Sequence, residues 1–275
     1  MKILKRLLVY LSLAVIILGS YSFIEAYWIQ EKHIRIADNK IPPQFENTRI
    51  VFISDIHHGP YFSLARLRDL VKRVNGLAPD LILLGGDYVY SSADYIEPCF
   101  NELKNLQAPL GVYGVLGNHD HWKDAPLTRQ SMAGAGVHLL DNMAYWIEKG
   151  TDRIKLGGVG DFYEDIQDLE PTISDVSAED FVILVSHHPD YVEQIKTDKI
   201  DVVFAGHTHG GQVTIFGVWT PFISARYGQK YRAGIVETPY TKVIISQGIG
   251  PVVLPIRLFA RPQIIVVELS REHEQ

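Results

Sequence analysis

The sequence has a single cysteine, Cys99, among 275 residues. One thiol cannot form an internal disulfide, and it excludes metal sites built from several thiolates. Because residues 94–106 around it are predicted to be helical, Cys99 is expected to be a packed structural thiol rather than a reactive one. Any metal in this protein would therefore be held by oxygen and imidazole ligands.

Polar linkers, internal repeats, low-complexity tracts and a basic excess are also absent. A chain of this length with 47% hydrophobic residues can bury one sizeable core, so one large domain is predicted rather than two. The net charge of −6 argues against nucleic acid as the main partner, although a local basic patch could serve an anionic substrate. Gly-x-Gly-x-x-Gly and Walker motifs are missing, and the lack of His-Glu-x-x-His argues against a mononuclear metalloprotease.

The N-terminus differs from the rest of the chain. Lys2, Lys5 and Arg6 precede an uncharged stretch over residues 7–24, and a membrane-spanning helix needs about 17–25 residues. The basic residues would stay in the cytoplasm, so the following domain is expected on the other side of the membrane. A cleaved signal peptide, with a weak site at residues 20–22, is the alternative, and it also places the domain outside the cytoplasm.

These patterns divide the chain into three parts. Residues 1–28 are predicted to be a signal-anchor or transmembrane segment that crosses the membrane once. Residues 29–46, stiffened by Pro42 and Pro43, are interpreted as a stalk that leads into the domain. Residues 47–271 are predicted to form the domain itself, and its oligomeric state stays open.

Apolar runs typical of strands alternate with runs typical of helices. Residues 64–74 have apolar side chains at helical spacing with Ser63 as a natural N-cap, and residues 95–106 and 191–195 are further helices. Continuous Val, Ile and Leu runs indicate strands buried on both faces, which predicts a layered α/β sandwich with mixed strand directions. Strands are predicted at 49–56, 81–84, 112–116, 145–147, 154–159, 181–185, 202–205, 243–245 and 264–269.

Five short polar motifs follow these apolar runs, at the points where strands should end. Ligands gather outside the carboxyl ends of strands in open α/β sheets, so these motifs could meet at one edge. Asp, Asn and His are suitable ligands for a pair of divalent metals. The motifs are Ser54-Asp55-Ile56-His57-His58-Gly59, Gly85-Gly86-Asp87, Gly117-Asn118-His119-Asp120, Ser186-His187-His188-Pro189 and Gly206-His207-Thr208-His209-Gly210-Gly211.

The donors in these motifs suit two cations with room left for water. Asp55 and His57 are two residues apart, so in extended backbone their side chains share a direction and can bind one metal together. Asp87 follows two glycines that permit a sharp turn, and its two oxygens could bridge two cations. The remaining donors are the amide oxygen of Asn118 and the imidazoles of His187, His207 and His209.

The order of the motifs resembles the calcineurin-like metallophosphoesterase family. The pattern is Asp-x-His, Gly-Asp, Gly-Asn-His-Asp, His-x-Pro and Gly-His-x-His, and it covers about residues 50–269. The resemblance implies a layered α-β-β-α sandwich with mixed sheets and two divalent metal ions, Mn, Fe or Zn. The first metal would be bound by Asp55, His57, Asp87 and His209, and the second by Asp87, Asn118, His187 and His207.

The resemblance also assigns roles next to the metals. His119 would lie over the phosphate and protonate or stabilise the leaving oxygen, and Asp120 would orient or tune His119. The His-x-Pro spacing selects His187 as a ligand over the adjacent His188. The four late arginines are interpreted as ordinary solvated or salt-bridged residues rather than a phosphate grip; they are Arg226, Arg232, Arg257 and Arg261.

Within the family, residues 206–212, 247–250 and 255–257 are similar to a membrane-anchored bacterial branch, which tends to have glutamate where this chain has Gln263. The branch implies an inner-membrane hydrolase of phosphodiester or pyrophosphate bonds, acting by attack of a metal-bridging hydroxide. Its substrate would be a phosphorylated small molecule or a lipid-linked one such as UDP-2,3-diacylglucosamine, in lipid A biosynthesis. A phosphomonoesterase and a non-catalytic metal-binding scaffold of the same fold are the alternatives.

Overall fold

The computed structural model describes residues 2–272 and contains two six-stranded sheets. The first sheet consists of β1 (Gln30–Asp38), β2 (Arg49–Ile53), β3 (Leu81–Leu84), β4 (Val112–Gly114), β5 (Val137–Leu139) and β12 (Gln263–Arg271). The second sheet consists of β6 (Met143–Lys149), β7 (Asp152–Gly158), β8 (Val182–Val185), β9 (Val202–Ala205), β10 (Gly234–Glu237) and β11 (Lys242–Ile245).

Both sheets are mixed. The strand order in the first is β1-β12-β2-β3-β4-β5, with β12 and β2 antiparallel. The order in the second is β10-β11-β9-β8-β7-β6, with antiparallel pairs at its two edges. The strands β2, β3 and β4 run parallel, as do β7, β8 and β9, so the carboxyl ends within each group lie side by side.

The two sheets pack face to face and helical segments cover their outer faces. Phe52 and Phe204, from facing sheets, have ring centroids 5.3 Å apart in the central core. Ser63 caps α2, which packs on the first sheet, and the 3₁₀ turn Pro189–Gln194 packs on the second. The predicted α-β-β-α sandwich is thus confirmed. The α-helices are α1 (Lys2–Glu25), α2 (Leu64–Gly76), α3 (Ile96–Leu103), α4 (Asn118–Gly134) and α5 (Glu170–Ile173).

The predicted stalk, residues 29–46, was assigned wrongly over part of its length. Nine of its residues form β1, which pairs in parallel with β12 along its whole length. Lys32, His33 and Arg35 are exposed on this edge strand, because an edge tolerates the charged side chains that a central strand excludes. The segment therefore lacks the continuous apolar run that marks the other strands, and it belongs to the folded domain.

Helix α1 extends from the domain with its surface exposed until its last turn. Within residues 2–272, it is the one helix long and apolar enough to cross a membrane, with a mean hydropathy of 2.2. Ser22 and Glu25 in its last turn are buried. The Glu25 carboxylate accepts the backbone N–H groups of Phe259 at 3.0 Å and Ala260 at 2.7 Å, and Arg257 donates its backbone N–H to Ser22. The end of α1 is therefore built into the domain.

Candidate metal centre

The strand ends of both sheets bring all seven predicted ligands to one place. Each ligand follows the carboxyl end of a parallel strand, as the sequence pattern indicates. Asp55 and His57 follow β2, Asp87 follows β3, Asn118 begins α4 after β4, His187 follows β8, and His207 and His209 follow β9.

Three of these side chains form a first buried cluster. Nε2 of His57 and Nε2 of His209 are 3.2 Å apart, and Oδ1 of Asp55 is 3.5 Å from Nε2 of His209. The three ligand atoms lie within 4.8 Å of one another. One imidazole pair and one carboxylate therefore face a common point.

A second cluster lies beside the first. Nε2 of His187 is 3.2 Å from Nδ1 of His207. The amide oxygen of Asn118 lies 3.0 Å from that Nδ1 and 3.2 Å from the His187 nitrogen. Two imidazoles and one neutral oxygen therefore converge here.

Asp87 joins the two clusters through a single atom. Its Oδ2 is 3.5 Å from Nε2 of His57 in the first cluster and 3.4 Å from Nε2 of His187 in the second. Its Oδ1 instead accepts the backbone N–H of His119 at 2.8 Å. The position between two sites agrees with the predicted bridge, but one oxygen faces both sites where two were expected, because the start of α4 engages the other.

Two imidazoles have one nitrogen bonded away from the second cluster and the other facing it. Nδ1 of His187 is 2.7 Å from the carbonyl oxygen of Gly85, which can only accept, so Nδ1 carries a proton and Nε2 is the nitrogen available to a cation. Nε2 of His207 is 2.9 Å from the Ser224 hydroxyl, and Nδ1 of the same ring faces the second cluster.

The spacing of the ligand atoms fits bound divalent cations. A metal–nitrogen distance of about 2.0–2.1 Å places two ligand nitrogens about 3.3 Å apart in tetrahedral geometry. Each cluster contains a nitrogen pair at 3.2 Å. A cation between the two nitrogens of each pair would satisfy both lone pairs, and carboxylate, amide and imidazole donors suit Mn, Fe or Zn.

The pKa shifts of the side chains in the two clusters also suit a cation site. Burial lowers the pKa of His57 to about 3 and that of His209 well below its ordinary value, so both imidazoles are neutral at pH 7. Burial raises the pKa of Asp55 to about 6. Although burial opposes both shifts, the pairing of Asp87 with His187 lowers the pKa of the carboxyl and raises that of the imidazole. Cation binding would replace the second proton of His187, the one on Nε2 that faces Asp87, because ligands bind metals deprotonated.

The backbone at the ligands differs from the extended conformation expected at Asp55 and His57. These two residues have φ angles of 53° and 48°, in the left-handed region, and β2 already ends at Ile53. Asp87, His207 and His209 also have positive φ. Non-glycine residues adopt this conformation rarely, and such strain concentrates at functional sites. The directions of these side chains are therefore set by tight loops and not by the alternation of side chains along a strand.

Asp120 holds the loop of Asp87 in place. Its Oδ2 accepts the backbone N–H groups of Asp87 and Gly117, at 2.8 and 2.9 Å, and its Oδ1 accepts that of Tyr88 at 3.0 Å. A Cβ at Gly117 would overlap the Asp87 carboxylate, so glycine is required there. Because backbone amides occupy both oxygens of Asp120, its contacts support a positioning role rather than the expected tuning of His119.

His119 lies at the junction between the ligands and an open cavity. Its ring centroid is 4.7 Å from that of His57, 5.5 Å from that of Tyr90 and 4.8 Å from that of Trp122. Burial lowers the pKa of His119. The cavity has a volume of about 540 Å³. Its lining includes the candidate ligands Asp87, Asn118, His207 and His209 and the apolar or aromatic residues Trp122, Tyr163, Phe222 and Val253.

His188 and a separate cluster of possible ligands lie near the centre but contact other residues. His188 stacks on Phe162 and packs against the ring of His207, so His187 and not His188 faces Asp87. His121, Asp141 and Asp165 form a further group of possible ligands. Arg129 donates to both of those carboxylates, at 3.2 and 3.0 Å, so a guanidinium already supplies the positive charge there.

Arg257 differs from its expected solvated role. Its side chain is fully buried, and burial lowers its pKa to about 10. The guanidinium donates to the carbonyl oxygens of Gln247 at 2.6 Å and Gly250 at 2.8 Å, and its Nη2 lies 3.3 Å from Nδ1 of His209. Arg257 thus supports the first cluster from behind. The sequence signal that could have indicated this is its position as the only charge within residues 251–259.

The family model for the calcineurin-like phosphoesterases matches residues 48–211, which carry all seven ligand positions. This chain belongs to the calcineurin-like phosphoesterase family. It is therefore a metal-dependent phosphoester hydrolase that uses divalent metal ions.

Relatives of this calcineurin-like phosphoesterase match along nearly the whole chain. It is 30% identical to the uncharacterized metallophosphoesterase YkuE of Bacillus subtilis (strain 168), over 92% of this chain and 89% of that protein. It is 28% identical to the phosphodiesterase YaeI of Escherichia coli (strain K12), over 91% of this chain and 92% of that protein. Among solved structures, a 5'-nucleotidase precursor from Thermus thermophilus matches with a TM-score of 0.48 and 17% identity, over 74% of this chain and 49% of that protein.

Proposed function

We propose that this calcineurin-like phosphoesterase hydrolyses a phosphodiester or pyrophosphate bond with two divalent cations held by the two clusters. One observation carries the proposal: Oδ2 of Asp87 lies within 3.5 Å of an imidazole Nε2 in each cluster. A carboxylate in that position would help to hold a cation in each cluster. When bound, such a pair orients the phosphate, stabilises its developing charge and lowers the pKa of water.

The side chains around the cations have distinct tasks in this proposal. His119, next to Asp87 and facing the cavity, donates its N–H to a phosphate oxygen or to the leaving oxygen. Asp120 fixes the loop that carries Asp87, and Arg257 fixes the ring of His209. These two residues act through the ligands rather than on the substrate.

The lining of the cavity favours a phosphate that carries organic groups. The candidate ligands share this lining with apolar or aromatic side chains, among them Trp122, Tyr163, Phe222 and Val253. A phosphodiester or a pyrophosphate with two organic groups has two that can contact these side chains, whereas a monoester has one. The relative YaeI, which bears the name phosphodiesterase, agrees with this preference.

The proposal includes a membrane location. The uncharged helix α1 and the basic residues before it favour a single crossing of the inner membrane, with the domain outside the cytoplasm. The buried contacts of Ser22 and Glu25 favour an uncleaved anchor, because cleavage after Ser22 would sever α1 within the turn that docks on the domain. Such an anchor favours a lipid-linked phosphoester, of which UDP-2,3-diacylglucosamine is an example.

A metal-replete activity screen tests the proposal. The full chain in detergent is assayed with bis(p-nitrophenyl) phosphate, p-nitrophenyl phosphate and a nucleotide-sugar lipid, each with Mn²⁺, Zn²⁺ or Fe²⁺ and with excess chelator. The expected result is turnover of the diester or the pyrophosphate lipid that exceeds turnover of the monoester and is abolished by chelator. Faster monoester turnover would favour a phosphomonoesterase, and bound metal without turnover of any substrate would favour a scaffold.

A further inference from the structure

Two loops beside the cavity present a cluster of exposed apolar side chains. The loops are residues 215–222 and 251–259. Phe216 is 80% exposed, Phe222 83% and Val253 71%. Large apolar side chains grouped at such exposure mark an interaction surface, whereas single ones are ordinary. We define the apolar rim as Phe216, Val218, Trp219, Phe222, Val253 and Leu254.

The apolar rim is nearly free of charge. Residues 215–222 contain no ionisable side chain, and residues 251–259 contain only Arg257, which is fully buried. A protein partner that binds through ion pairs would find no counterpart on these loops. An uncharged surface of aromatic and aliphatic side chains is typical of segments that enter the interfacial region of a bilayer.

The apolar rim is continuous with the end of helix α1. The ring of Phe259 lies 6.5 Å from that of Tyr21 on α1 and 5.7 Å from that of Phe216 on the rim. The backbone N–H of Arg257 donates to the carbonyl oxygen of Ser22. The Phe216 end of the rim therefore lies near the last turn of α1, where a membrane-spanning helix leaves the hydrocarbon.

The apolar rim also forms one side of the cavity mouth. Gln212, which lines the cavity, uses its side chain to bond the backbone N–H and C=O of Val252 at 2.6 and 3.0 Å. Val253 and Phe222 line the cavity together with His209. The same loops thus contact the end of α1 and border the ligand cluster.

We propose that the apolar rim inserts into the interfacial layer of the bilayer that α1 spans, so that the cavity opens at the membrane surface toward a lipid-borne phosphoester. The inference rests on the membrane attachment and the hydrolysis proposed above. It goes beyond them because it assigns a second membrane contact, made by the catalytic domain itself. It also fixes the orientation of the cavity relative to the lipid.

Depth-dependent fluorescence quenching tests the insertion. The full chain carrying Phe216→Cys or Leu254→Cys is labelled with a polarity-sensitive fluorophore and reconstituted into phosphatidylcholine–phosphatidylglycerol vesicles. Cys99 is buried, and unsubstituted protein measures its background labelling. The matched control is Tyr240→Cys, because Tyr240 lines a groove with Asp38, about 26 Å along β1 from the membrane-proximal Gln30.

The expected result is several-fold stronger quenching by lipids with a spin label near the headgroup at positions 216 and 254 than at position 240. Equal quenching at all three positions would overturn the proposal, as would the absence of quenching at 216 and 254. Energy transfer between labelled copies without lipid quenching would show that a second copy of the chain covers the rim, which also overturns it.

A second measurement separates this inference from the proposed function. Phe216→Ser combined with Val218→Ser changes the rim outside the cavity lining. The double variant is expected to keep its turnover of soluble bis(p-nitrophenyl) phosphate and to lose several-fold in turnover of a vesicle-embedded lipid phosphodiester. If the double variant turns over both substrates as fast as the unsubstituted protein does, the inference is contradicted and the proposed hydrolysis is not. If the unsubstituted protein turns over neither substrate, the proposed function is contradicted, while the quenching result still stands.

Discussion

Oδ2 of Asp120 accepts the backbone N–H of Asp87 at 2.8 Å, and both residues are buried. The bond joins the first turn of α4 to the loop after β3. This bond holds the Asp87 carboxylate between the two clusters, while the Asp120 side chain itself contacts neither cluster. Side chains that orient a ligand in this way typically change metal affinity by about 10–100-fold when they are removed.

Asp120→Asn is therefore expected to weaken metal binding by about 10–100-fold while the protein stays folded. The amide group would place an N–H₂ donor against a backbone N–H donor, which loosens the loop of Asp87. Metal titration of the metal-free protein measures the change. Asp69→Asn, at a side chain 78% exposed on α2, is the control. Unchanged affinity in Asp120→Asn would contradict the positioning role.

Asp87→Asn is expected to abolish turnover and to lower the metal content from two cations per chain. The neutral amide cannot supply the charged oxygen that both clusters share. The loss in turnover should exceed the roughly 100-fold loss that is typical when a residue that only orients a metal ligand is replaced. Elemental analysis and a diester assay measure both effects. Near-normal turnover with full metal content would rule out the bridging position.

His119→Ala is expected to lower kcat by about 10²–10⁴-fold, the usual range for proton transfer by a positioned side chain. Both cations should remain, because the other seven side chains supply the ligands. His33→Ala is the control, since the His33 side chain is 68% exposed on β1. Loss of a cation from His119→Ala would show instead that this histidine, which lies near His57 and Asp87, is itself a ligand.

The pH dependence of stability should differ between the natural chain and Asp141→Asn. Burial raises the pKa of Asp141 from 3.8 to about 7, although it accepts the N–H of Leu116. The folded state therefore binds this proton more tightly than the unfolded state, and the associated stability is lost as pH rises from about 4 to about 7. Unfolding midpoints should fall more steeply over that interval in the natural chain. If the unfolding midpoints of the two proteins change in parallel with pH, the raised pKa of Asp141 is contradicted.

Glu25→Gln is expected to destabilise the domain by about 1–3 kcal/mol, the usual cost of an unsatisfied buried polar group. The substituted amide would face the backbone N–H of Phe259 or Ala260, which the carboxylate now accepts. Thermal unfolding in detergent measures the change against Glu97→Gln, on the exposed side of α3. Equal midpoints for the two variants would show that the last turn of α1 contributes nothing to the fold.

The sequence allowed the main architecture to be predicted because periodicity and strand-end motifs are local signals. The capped helix α2 and the buried strands fall near their predicted positions. Five elements were not predicted, namely strands β1, β5 and β10 and helices α4 and α5. Helix α4 begins within a ligand motif and is interrupted at Asp124, before Pro126, so its apolar spacing is broken. Strand β1 is a charged edge, which its composition alone cannot distinguish from a linker.

The convergence of the candidate ligands could be predicted from the sequence, but the geometry of their contacts could not. That Oδ2 of Asp87 faces both clusters depends on a bond from α4 to its other oxygen. The positive φ of Asp55 and His57 depends on contacts between loops from different strands. The support of His209 by Arg257 crosses 48 residues of sequence. Each of these features results from long-range packing, which leaves no local pattern.

The docking of Glu25 on the loop of Ala260 determines where a soluble fragment can be cut. A fragment that starts at residue 26 would leave two backbone amides without acceptors, next to the arginine that supports His209. Low turnover in such a fragment would be an artefact of the truncation and would misrepresent the intact enzyme. Fragments for crystallisation should therefore retain Ser22 and Glu25, with polar substitutions at the exposed Phe23 and Ile24 to keep them soluble.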